Sequence, residues 1–186
     1  MKNYIYLLLI LIVGVTSCEG RKTKTKSLTE SIEQFKENNT LEIITFHPEV
    51  YTETNNDTIL SNGFKHKIKL FSNMNSSVSK SYFKDAITYK ESYRNFDAEV
   101  KVIFKDNIVF NQTVSKQFFI NNNALSVDSS KYIRLENIWI DDNINLVDQT
   151  HIDFLYSQVI DEEDKDIHLK LIIDSSGKYT IQAVKT

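Results

Sequence analysis

Cysteine occurs once in this chain of 186 residues, at Cys18, and proline once, at Pro48. A single cysteine excludes an internal disulfide and any metal centre built on several thiolates. Glycine is scarce, with four residues, and the glycine fingerprints of phosphate and dinucleotide binding are missing, as are G-x-S-x-G and H-E-x-x-H. There is no basic surplus either: 22 Lys and Arg stand against 25 Asp and Glu, so nucleic acid is not expected as a partner. The one uninterrupted apolar stretch, Tyr4 to Val13, falls well short of the roughly 20 residues needed to span a bilayer.

That stretch has the layout of an export signal. Lys2 gives a positive start, the apolar run follows, and small residues lead to Cys18. Val15-Thr16-Ser17-Cys18 resembles the bacterial lipobox, an aliphatic residue and two small ones before a cysteine. The resemblance implies cleavage before Cys18 and lipid on both its sulfur and its new amino group. Two or more acyl chains anchor stably where one does not, each buried methylene contributing about 0.8 kcal/mol. Residues 1–17 are therefore expected to be a lipoprotein signal peptide, residues 18–27 a lipidated polar tether, and residues 28–186 a single domain. Loss of Lys2 with the signal leaves 21 basic against 25 acidic residues. Glu19 is not the aspartate that marks inner-membrane retention in some bacteria, and Arg21, Lys22, Lys24 and Lys26 make the tether basic rather than acidic. The expected location is the outer membrane, with the domain facing the periplasm.

Ser27 to Asn38 reads as an amphipathic helix. Ser27 and Glu30 fit a capping box, and Leu28, Ile32 and Phe35 share one face. Beyond it the period becomes two. Phe64, His66, Ile68 and Leu70 alternate with Lys65, Lys67 and Lys69, and Ala98, Val100, Val102 and Phe104 share a face. About nine strands follow from such patterns, with Asn clusters in place of glycine at turns. The fold expected is all-β, an antiparallel sandwich or barrel with one N-terminal helix. Asn121 to Lys131 reads as a long loop. Three hairpins are expected, turning at Asp106-Asn107, through Asp161 to Asp166, and at Ser175 to Lys178; in the first, the preferred register sets Phe104 against Phe110 and Val100 against Val114.

The lipobox, the segment Asp57-Thr58-Ile59-Leu60-Ser61-Asn62-Gly63-Phe64 leading into a strand, and the β-rich remainder together resemble small uncharacterised lipoproteins of Bacteroidetes type. That resemblance covers most of the mature chain and implies no activity.

Between Tyr132 and Ile140 the alternation breaks, since Ile133 and Leu135 have one parity and Ile138 and Ile140 the other. Strict alternation turns Trp139 toward the core. A β-bulge near Glu136-Asn137 instead unites the four aliphatics and sets Trp139 with Tyr132 and Arg134 on the opposite face, the preferred reading. Aromatics beside arginine suit a binding surface, so Tyr132, Arg134 and Trp139 are candidate ligand contacts. His66, on an apolar face, is either a satisfied core histidine or a catalytic base whose nucleophile the sequence does not place. His151, Asp153, Asp166 and His168 would suit a metal, but a turn centred at Glu163-Asp164 puts His168 opposite Val159 and about 27 Å from His151, so no metal or cofactor is expected. The acidic run Asp161 to Asp166 lacks an EF-hand's spacing and reads as a solvated turn. Lys65, Lys67 and Lys69 read as guards of an exposed strand face. A non-enzymatic module binding an envelope protein or glycan is the leading expectation. A periplasmic hydrolase and a small-ligand carrier with an internal cavity are the alternatives.

Overall fold

The computed structural model describes residues 24–38, 41–85, 87–142, 147–159 and 166–184. Cys18, the expected signal peptide and the first part of the tether lie outside these residues. The chain forms two compact units, one holding the N-terminal helix and the other both β-sheets.

Helix α1 spans Lys24–Asn38, a turn earlier than its capping-box sequence suggests. Ser27 is thus a helical residue and not the cap. Polar side chains here bond back to the preceding turn: Thr29 Oγ1 donates to the Thr25 carbonyl at 3.0 Å and Ser31 Oγ to the Ser27 carbonyl at 2.8 Å. Leu28, Ile32 and Phe35 form the expected stripe and are exposed. Among the described residues no helix is long and apolar enough to cross a membrane.

The second unit is a sandwich of two sheets and not a closed barrel. Sheet A contains β1 (Leu41–His47), β2 (Glu53–Ile59), β3 (Phe64–Lys84), β4 (Ile87–Phe104) and β5 (Asn107–Val114), in the order β1-β4-β3-β2 with β5 also paired to β4. Sheet B contains β6 (Ile133–Asp141), β7 (Gln149–Gln158), β8 (Ile167–Asp174) and β9 (Tyr179–Val184), in sequence order. Its pairings are antiparallel throughout. Two short helices, α2 (Lys116–Asn121) and α3 (Val127–Ser130), lie between the sheets in sequence. The stretch expected as a long loop thus carries α3, capped by Ser126 through its bond from the Ser129 N–H.

Alternation decides which side chains meet. Phe64, Ile68, Val100 and Val102 of sheet A join Ile152, Phe154, Tyr156, Leu169 and Leu171 of sheet B in one core. Helix α2 adds Phe118 and Phe119. Phe119 stands edge-on to Phe154 at 5.1 Å and to Tyr156 at 5.9 Å, filling the space between the sheets.

Two expected registers are corrected. The β4–β5 turn is Lys105-Asp106, both with positive φ (47° and 67°), the type I′ geometry that matches strand twist. With a register shift between Val102 and Ile103, Val102 opposes Phe110 and Ala98 opposes Val114. In the β7–β8 hairpin His168 opposes Leu155, four residues from the expected Val159. The last hairpin turns where expected: Asp174 Oδ1 accepts from the N–H groups of Ser176 and Lys178 at 2.8 and 3.0 Å, and Gly177 takes φ +88°.

Candidate functional site

The bulge in β6 builds the site. Leu135 opposes Tyr156 and Asn137 opposes Leu155, so Glu136 is the extra residue. The frame shift keeps Ile133 and Leu135 in the core and packs Ile138 and Ile140 against it. Strict alternation would have put Trp139 inward. The bulge leaves Arg134 and Trp139 on the other face, in line with the preferred reading.

Arg134 sits at a junction of the two sheets. Its Nη2 donates to Glu136 Oε2 at 2.8 Å, and its guanidinium lies 5.4 Å from the centre of the Tyr93 ring. Tyr93 stacks on His47 of β1 with centroids 5.1 Å apart. The Tyr93 hydroxyl donates to Glu91 Oε2 at 2.7 Å, and Lys80 approaches the same carboxylate at 3.2 Å. Those two contacts, the tyrosine bond first, hold the Glu91 carboxyl below the usual range. The result is an aromatic plate fixed from several sides. Two small clefts flank it, both bordered by Arg134 and Glu136. One, of about 280 Å³, reaches to His47, Pro48 and Phe96. The other, of about 200 Å³, runs along Tyr93, Ser157 and Gln158.

Trp139 belongs to a second cluster on the same face of sheet B. Arg134 opposes Ser157 and Trp139 opposes Asp153, four positions along β7, or about 14 Å at about 3.4 Å per residue. Trp139 lies against the His168 ring at 5.2 Å. His168 Nε2 meets Asp153 Oδ1 at 2.7 Å, and Lys170 Nζ lies 3.6 Å from the same oxygen. Lys170 also reaches Asp141 at 3.2 Å, and His151 Nδ1 lies 3.5 Å from Asp141 Oδ2. The corrected register explains this: His168 reaches Asp153, which the expected register kept far apart. Asp153 is 2 % exposed and satisfied by its basic neighbours. Among the described residues no three His, Cys, Asp or Glu side chains are placed to share a metal ion.

The other candidates separate. His66 is 1 % exposed and lies between the sheets, its Nε2 at 2.8 Å from Thr150 Oγ1 of β7. Burial lowers its pKa to about 4. Tyr132 is exposed and borders a different cavity of about 530 Å³ with Ile133, Gln158 and Ile167. Each lysine of the β3 face is paired: Lys65 with Asp106 at 2.9 Å, Lys67 with Asp57 at 3.5 Å and Lys69 with Glu53 at 3.1 Å. Tyr93 and His47 were not legible as site residues. The meeting of Tyr93 with Arg134 depends on contacts between the two sheets.

No protein-family model matches this chain, and no curated protein matches it.

Proposed function

We propose that this chain is a lipid-anchored protein of the cell envelope, held through Cys18 at the outer membrane with its β-sandwich facing the periplasm. The sandwich acts as a non-enzymatic binding module for an envelope glycan. The observation that carries the reading is the Tyr93–His47 plate beneath Arg134, set between two small clefts. The faces of the Tyr93 ring are taken by His47 and Arg134, so a sugar would lie in the clefts beside the plate, where Arg134, Glu136 and Ser157 offer donors and acceptors to its hydroxyls. Trp139, about 14 Å along the same face, gives an extended glycan a second contact. The plate is preorganised, since Tyr93 is held by Glu91 and Arg134 by Glu136.

The alternatives fit less well. A hydrolase working through His66 needs substrate at a ring that is 1 % exposed. A carrier needs internal space where Phe119, Phe154 and Tyr156 meet edge to face.

Binding is tested on an array of envelope oligosaccharides with the wild type and with Tyr93→Ala and Arg134→Ala. Selective binding lost in both variants supports the reading. A wild type that retains no oligosaccharide, while crosslinking in cells captures a protein at Arg134, replaces the glycan with a protein partner. The anchor is tested separately by palmitate labelling. Cys18→Ala is expected to abolish the label and to release the protein from membranes or leave it unprocessed, and a variant that still matures with lipid attached refutes the anchor.

A further inference from the structure

A second opening lies apart from the Arg134 plate. Asn73 and Ser76 of β3, Asn95 and Asp97 of β4, and Ser115 and Lys116 at the start of α2 border a polar cleft of about 240 Å³. Liquid water takes about 30 Å³ per molecule, so the cleft has room for roughly eight waters or one small metabolite.

Its wall carries one fixed cation and one fixed anion. Lys116 Nζ donates to the carbonyls of Ser130 at 2.9 Å and Ile133 at 3.0 Å, which leaves its third N–H. Asp97 Oδ2 accepts from Asn73 Nδ2 at 2.8 Å, which leaves acceptor capacity on the carboxylate. Asn95 is 5 % exposed; its Nδ2 donates to Ser76 Oγ, and its Oδ1 has no partner among the described residues. The Tyr156 hydroxyl, buried and equally without a partner among the described residues, also feels the Asp97 charge, which adds to burial in raising its pKa. Folded proteins keep few such buried polar atoms unpaired, and Asn95 Oδ1 is one on a residue that borders this charged cleft. Burial also brings Lys116 down to about 8, against the opposing pull of Asp97.

The charges define the ligand. A simple anion suits Lys116 and is repelled by Asp97, whereas a simple cation suits Asp97 and is repelled by Lys116. A neutral polyol uses neither charge. We propose that this cleft binds a small zwitterion of the α-amino-acid class, its carboxylate on Lys116 and its ammonium on Asp97, on the Asn95 side of the cleft. The site is independent of the glycan reading, because it shares no residue with the Arg134 plate.

Calorimetry on the mature chain tests it with five probes: glycine and L-alanine as zwitterions, acetate and methylammonium as single-charge halves, and glucose as a neutral polyol. A zwitterion is expected to bind at least about tenfold more tightly than either half, and Lys116→Met and Asp97→Asn each to weaken it by at least about tenfold. Glucose or acetate binding as well as glycine overturns the proposal, as does the absence of binding by both zwitterions at about 10 mM. If the variants lose their fold, wild-type NMR decides the matter. Addition of glycine must shift the Lys116 ε-methylene resonance and raise its titration midpoint, and a resonance that does not move refutes the assignment.

Discussion

Acid is expected to destabilise this sandwich through His66. The ring lies between the sheets, 1 % exposed, with Nε2 on Thr150 and Nδ1 without a partner among the described residues. A neutral imidazole tolerates that setting, but an imidazolium would carry two N–H donors and a charge into it. Burial accordingly lowers the folded pKa from 6.5 to about 4. Between those values the unfolded chain holds a proton that the folded chain does not. Stability therefore rises with pH across the window; the contribution is complete above the unfolded pKa and is lost as pH falls toward the folded one. Linkage gives a loss of about 2 kcal/mol between pH 7 and pH 5, and about 3 kcal/mol by pH 4. Urea unfolding at about pH 7, 6, 5 and 4 measures it, comparing the wild type with His66→Leu. Leucine removes the titration and strands the Thr150 hydroxyl, a penalty that does not depend on pH; His66→Leu with Thr150→Val removes that penalty too. Carboxylates titrate in all three proteins and cancel in the difference. The wild type is expected to lose about 2 kcal/mol relative to His66→Leu between pH 7 and pH 5. Curves that stay parallel within about 0.5 kcal/mol would refute a buried neutral histidine at this position.

Three further outcomes follow from geometry. Gly177→Ala builds a Cβ 2.6 Å from the Val109 carbonyl oxygen at φ +88°, and is expected to cost at least about 2 kcal/mol, seen as a lower urea midpoint. Phe119→Ala empties the space beside Phe154 and Tyr156 and is expected to cost about 3–5 kcal/mol by the same assay. Lys67→Ala removes a pair whose partners are 60 % and 64 % exposed, so the urea midpoint stays where it is; a marked fall would mean that the lysine face is structural.

The fold was legible wherever one strand face is buried. Phe64, His66, Ile68 and Leu70 alternate because every second position enters the sandwich, and the same rule marks β7, β8 and β9. It fails where neither face is covered. Strand β2, Glu-Thr-Asn-Asn-Asp-Thr-Ile, is an exposed edge and has no apolar face to show. The extension of β3 to Lys84 is rich in Ser, Asn and Lys, with four consecutive exposed residues at its end, so its alternation fades although its pairing continues. Registers were less legible than strands because they depend on the turn. Lys105-Asp106 adopts a type I′ turn without the usual Asn-Gly, and a one-residue displacement there moves every partner along the hairpin. Legibility in the candidate site followed the same line. Arg134 and Trp139 were signalled by a break in parity within one strand. Tyr93 and His47 come from other strands, and Asp97, Asn95 and Lys116 meet only after β4 and α2 have folded against each other.

The parity break ties the core to the surface. Four aliphatics on β6 cannot all face inward without an extra residue, and Glu136 is that residue. Its insertion aligns Ile138 and Ile140 with Ile133 and Leu135, and in the same step turns Trp139 outward, across from Asp153. A bulged strand also twists more strongly, and this bulge sits where β6 meets Tyr93 of the opposite sheet. Glu136 then holds the guanidinium that caps the Tyr93 ring. The side chains that furnish the proposed binding face are therefore fixed by the requirement that packs the interior. A substitution that restored strict alternation in β6 would expose Ile138 and Ile140 and bury Trp139. It would damage the core and the binding face together.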